Sequence, residues 1–152
     1  MISTDLSRFL RSGVSIHIAT CDAGRVPHGA RAWAAVPEDD GEHVTVFVLK
    51  ASARPILDDL EANGRAALVF CRPTDDRAVQ LKGAFAGSRP ARAKEREVVD
   101  AHGARMIAEL EAIGVPAALT RAWKPWPCIA IRVRVTEIYS QTPGPGAGEP
   151  LR

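Results

Sequence analysis

Lys50-Ala51-Ser52-Ala53-Arg54 sets two cations and a hydroxyl immediately ahead of PILDDLEANG, a stretch that reads as a short helix. The first N–H groups of a helix lack intrahelical partners and carry partial positive charge, so such a turn is a natural seat for a phosphate. Its ordinary alternative is a helix cap flanked by two solvated cations. A second pair lies upstream in PHGARAWAAV, where Arg31 and Trp33 share one face of an extended segment built mainly of Ala and Gly. A strand this lean lets something large lie close to its backbone. In RAVQLKGAFAG, Gln80 and Lys82 alternate with apolar residues and read as the outward side of a strand.

Other chemistries find little support. His17, His28, His43 and His102 show no i,i+4 pairing and no HExxH, so no metal site is expected, and His102 reads as a packed residue of a helix stripe. No GxSxG nucleophile motif is present. The tract Gly144-Pro145-Gly146-Ala147-Gly148 opens no helix and is no dinucleotide fingerprint. With 16 Arg and 4 Lys against 18 acids, the net charge of +2 gives no basic block for nucleic acid. Cys21, Cys71 and Cys128 form no CxxC, and are expected as buried small hydrophobes of a cytoplasmic protein. No apolar run reaches the roughly 20 residues of a membrane helix, and no secretory signal is expected.

The 152 residues fit one domain, with residues 1–140 as its body and 141–152 as a Pro/Gly-rich tail, extended or disordered. A short helix over 4–12 precedes a strand in VSIHIAT. Strands follow at about 27–36, in HVTVFVLK, in RAALVFCR and in RAVQLKGAFAG, the third being apolar enough to be central. In the second, Ala30, Ala32 and Ala34 should share one face, with Gly29, Arg31 and Trp33 on the other. Ser88 and Pro90 suggest the start of the longest helix, running to about Ile113 with Val98, Val99, His102, Met106, Leu110 and Ile113 as its stripe. CIAIRVRVTEIY is the last strand, with Arg132 and Arg134 on a solvated face. Six strands joined mostly by hairpins predict a mainly β fold, a small antiparallel barrel with peripheral helices.

This order of elements resembles the pyridoxamine 5′-phosphate oxidase-like, FMN-binding split-barrel family. FVLKASARPILDDLEANGRAALVF followed by RAVQLKGAFAG, and the tryptophan-bearing segment before the last strand, carry the resemblance over roughly residues 6–140. It implies a six-stranded split barrel, a homodimer, FMN at the subunit interface and a small-molecule substrate; some relatives use F420 or haem, and some have no known cofactor. It assigns Arg31 and Trp33 to positions beside the flavin, Lys50, Ser52 and Arg54 to its phosphate, and Gln80 and Lys82 to a strand reaching the cofactor from the partner subunit. A Lys beside the flavin N1–C2 carbonyl would stabilise the reduced anion. Two departures qualify the match. The family often carries a Lys four residues before a Leu, and counting back from Leu60 finds Ile56, so Arg54 or Lys50 would have to serve. The Arg-Leu-x-Pro segment of true pyridoxamine phosphate oxidases is replaced by Glu149-Pro150-Leu151-Arg152, so pyridoxamine phosphate is not the expected substrate. An FMN-dependent oxidoreductase is the leading expectation. A ligand-binding dimer without turnover is the alternative.

Overall fold

The computed structural model describes residues 2–151. Helix α1 (Thr4–Leu10) is capped by Ser3, whose Oγ accepts from the Leu6 N–H, and it buries Leu6, Phe9 and Leu10. Then come strands β1 (Ser15–Cys21), β2 (Pro27–Pro37) and β3 (His43–Leu49), helix α2 (Arg54–Asn63) and strands β4 (Arg65–Cys71) and β5 (Ala78–Pro90). Helices α3 (Arg96–Ala112) and α4 (Ala117–Thr120) precede the last strand, β6 (Cys128–Ser140).

All neighbouring strands are antiparallel, and the sheet closes as β1-β2-β3-β6-β5-β4. Period-two patterning makes this possible. Ile16 and Ile18 point inward beside Leu68, Phe70, Val79, Leu81, Ile131 and Val133, while His17 and Ala19 point out. Helix α2 packs into this core with Ile56 and Leu60, each 1% exposed, and ends on Gly64 at φ 69°. Its Asp59 is buried and accepts from the Thr20 hydroxyl (2.6 Å) and from His28 Nδ1 (2.8 Å), tying α2 to the β1–β2 hairpin.

A second apolar cluster lies outside the barrel. Val99 and Val98 of α3 meet Ala34, Phe47, Ala130 and Trp33 there. The β2–β3 register slips between Ala32 and Ala35, and this bulge corrects the simple alternation. Ala30 and Ala32 share the barrel face, but Ala34 does not join them: it turns to the outer cluster and Ala35 takes its place inside.

Other expectations are also corrected. The long helix begins at Arg96, not Ser88, because β5 stays paired with β6 through Ser88↔Ile131 and Pro90↔Ile129. Glu95 anchors the true start, accepting from Arg92 N–H and pairing with Arg89. Ile113 is 51% exposed, so the stripe ends earlier. The tail is neither extended nor loose. It hooks back, with Gly148 N–H on Ser140 O, Ser140 N–H on Glu149 O and Leu151 N–H on Ile138 O. The last residues of β6 extend beyond β3, and this hook covers the edge left open. Arg132 is not merely solvated, since it forks onto both oxygens of Glu38. Cys21 is exposed and Cys71 intermediate, so only Cys128 is a buried hydrophobe, its thiol pushed up to about 11 by burial.

Candidate functional site

Arg31 stands on the outer face of β2, and the carbon at the centre of its guanidinium lies 4.1 Å from the centroid of the Trp33 ring. Strand alternation delivers this pair directly, because residues two apart project on one side. The Trp123 ring lies 4.2 Å from the same guanidinium. The two indoles meet edge-on, with centroids 5.4 Å apart and planes at 75°, so the cation sits in the corner they form. Its Nε–H is buried with no acceptor among the described residues. Burial alone lowers the guanidinium pKa, with no carboxylate contributing. A desolvated cation with an unpaired donor and aromatic walls is suited to an anionic or polar edge of a planar ligand.

The turn Lys50–Ser52 is a 3-10 turn leading directly into α2. The register setting Ala32 across from Val48 brings Arg31 to the end of β3, where this turn begins. No side chain caps α2, and no acidic residue occupies its first turn. Lys50 is exposed, and the Ser52 hydroxyl donates to Leu49 O at 3.1 Å. Arg54 is 84% exposed and pairs with Asp58 at 2.9 Å. Such an exposed i,i+4 pair is weak enough for a phosphate to displace.

Gln80 and Lys82 lie elsewhere on the same outer surface. One row of paired residues runs Arg31–His17–Val69–Gln80–Tyr139 across β2, β1, β4, β5 and β6, and the next runs Gly29–Ala19–Ala67–Lys82–Glu137. Three strand spacings, about 14 Å, therefore separate Arg31 from Gln80. The fold thus brings Arg31 and Trp33 together and starts the turn that carries Lys50, Ser52 and Arg54 at the strand end that lies across from Arg31, while Gln80 and Lys82 stand apart. Lys82 borders an open groove of about 820 Å³ floored by Ala19, Ala67 and Ala84, and its ammonium lies 4.7 Å from the Tyr139 ring centroid. Gln80 Oε1 accepts from Gln141 at 3.4 Å.

Two histidines flank the Arg31 corner. His17 has its pKa lowered, first by burial and then by the Arg31 charge. His102 of α3 is 4% exposed, and its Nε2–H donates to Val14 O at 2.9 Å, leaving Nδ1 without a partner. Burial first, then Arg105 and Arg31, hold its pKa down at about 4 against the support of the Val14 bond. It is the packed residue the helix stripe predicts. Glu38, Asp40 and His43 bring ligand atoms within 4.8 Å of one another, but Arg132 already occupies Glu38.

Trp123 is the residue of this corner that the sequence did not assign to the site. It lies 90 positions from Trp33 in an irregular segment with no periodicity. The available signal was the low aromatic content, which makes each of three tryptophans conspicuous.

A family model described as pyridoxamine 5′-phosphate oxidase matches residues 3–141. A search of curated proteins finds no match. Among solved structures the chain is similar to HupZ of Group A Streptococcus, with 14% identity and a TM-score of 0.58 over 97% of this chain and 100% of that one. An F420 reductase is similar at 18% identity and TM-score 0.58, covering 87% of this chain and 94% of the other. An FMN-binding protein from Syntrophomonas wolfei aligns at 10% identity and TM-score 0.54, with 90% and 86% covered. Likeness at these identities establishes the fold.

Proposed function

Because the chain belongs to the pyridoxamine 5′-phosphate oxidase family, we propose that it is a flavin-binding split-barrel protein that takes FMN and acts as an oxidoreductase on a small molecule. The observation that carries this reading is Arg31, a desolvated cation with an unpaired Nε–H in a corner of two indoles. Beside it, the uncapped start of α2 offers N–H groups, with Lys50, Ser52 and Arg54 around it, to a phosphate. In this reading Arg31 and Trp33 hold the ring system, and the turn holds the phosphate. Bound flavin would supply the hydride or electron chemistry itself, so the protein's own task is to bind, orient and exclude water.

A homodimer belongs to the proposal. Gln80 and Lys82 stand about 14 Å round the barrel from Arg31, so they meet the same ligand only when supplied by a second copy. The small-residue floor of Ala19, Ala67 and Ala84 supports close approach of such a copy.

Purification tests the reading. The expected result is a protein that is yellow or takes up added FMN, with a flavin spectrum that bleaches on mixing with NADH or NADPH. A protein that stays colourless with FMN would overturn it. F420 uptake in place of FMN would redirect the cofactor assignment.

A ligand-binding dimer without turnover is the second reading. Ile56 favours it: the residue at the family's Lys position is 1% exposed in the barrel core and cannot reach a phosphate. Stable flavin binding with no bleaching by either nucleotide would select it.

A further inference from the structure

We infer that Trp123 is an access-determining residue of the flavin site: a wedge that competes with the ligand for the guanidinium of Arg31. The inference rests on the flavin reading and adds to it a moving part. Both indoles stand against the Arg31 guanidinium, at 4.1 and 4.2 Å, and its Nε–H is buried without a partner among the described residues. A ligand acceptor entering through the indole corner would take the place of one ring.

The two rings are held very differently. Trp33 sits in the bulge of β2, between Ala32 and Ala35, which are both paired with β3, and it packs against the cluster under α3. Trp123 follows the four-residue α4, and its own N–H bonds only to Thr120 O. The Lys124 and Trp126 N–H groups have no backbone partner among the described residues. The segment is tied at its far end, where Lys50 N–H donates to Pro127 O at 2.9 Å and the Cys128 thiol to Pro125 O at 3.0 Å. Trp123 is therefore the ring that yields, swinging on a span whose far end is fastened to Lys50, the first residue of the phosphate turn. The same span thus touches both parts of the proposed site, at Arg31 and at Lys50. A ligand seated on the turn would act on the segment that carries the wedge.

The test uses the full chain and its Trp123→Ala and Trp123→Leu variants, the second keeping apolar bulk but no aromatic face. Arg31 is probed directly with phenylglyoxal, and its modification is followed by mass spectrometry of the peptide that contains it. The wedge predicts that Arg31 reacts about fivefold faster in either variant, the effect of losing one cation–π contact. An unchanged rate in both overturns it. FMN titration is the second arm. Variants that bind FMN more tightly than the parent support the wedge, whereas weaker binding would make Trp123 a fixed wall and overturn it. If no form of the protein binds FMN, the flavin reading fails, and the phenylglyoxal rates still decide whether Trp123 controls Arg31.

Discussion

His102 should make this protein lose stability on mild acidification, before its carboxylates titrate. The ring is buried, its Nε2–H is spent on Val14 O, and Nδ1 faces no acceptor among the described residues. A second proton would create an unpaired buried N–H near Arg31 and Arg105, which is why the pKa falls from 6.5 to about 4. The unfolded chain binds this proton near the ordinary value and the folded chain does not. Stability therefore falls as the pH drops through the interval from 6.5 to about 4, and the contribution levels off below it. At about 1.36 kcal/mol per pH unit the full interval corresponds to about 3 kcal/mol, a large share of the roughly 5–15 kcal/mol that holds a domain together. His17, also lowered, works in the same direction. Asp40, Asp75 and Glu95 are held at about 2, so their contributions are lost as the pH falls from the ordinary carboxylate values toward 2, mostly below the His102 interval. Urea unfolding at several pH values between about 7 and about 4 measures the slope. His102→Gln keeps an N–H for Val14 O and removes the titration, and it should flatten most of that slope. A variant with the parent's slope would show that His102 does not set the acid sensitivity.

Three other perturbations test the fold around the site. Gly83→Ala would drive its Cβ into Arg134 O and place it 2.7 Å from Val133 Cγ1, at the bulge where β5 meets β6. It should cost about 3 kcal/mol or more in chemical denaturation, since backbone must move, and a variant as stable as the parent would contradict the register. Removing residues 141–152 deletes the hook over β6 and exposes an unpaired strand edge, so light scattering should show new self-association. Glu95→Ala breaks the paired bonds to Arg89 and the anchor at Arg92 N–H. It should destabilise the start of α3 by about 1 kcal/mol, read as earlier hydrogen exchange in its first turn.

Most of the barrel could be read from the sequence because its strands obey one local rule. Ile16 and Ile18 alternate with His17 and Ala19, and that period alone assigns inside and outside. The rule failed at Ala34, where a bulge depends on the neighbouring strand and leaves no local mark. It failed again at Ser88–Pro90, whose residues suit a helix start but whose backbone is claimed by eleven residues' length of pairing between Val79–Pro90 and Ile129–Ser140. The tail misled for the opposite reason. It lacks an apolar pattern, yet backbone bonds that require no particular side chains fasten it to β6. At the site, Arg31 and Trp33 were legible as strand neighbours and Lys50, Ser52 and Arg54 as a turn before a helix. Trp123 was not, because its contact with Arg31 joins a strand to an irregular span far along the chain.

The proposed flavin site turns on Arg31 as its anchor. The direct test titrates the purified full chain and its Arg31→Ala variant with FMN, following the visible spectrum and flavin fluorescence. Loss of a charge-assisted contact worth about 1.5–3 kcal/mol predicts saturable binding in the parent and binding weakened about 10- to 100-fold in the variant. Equal affinity in the two would contradict the claim.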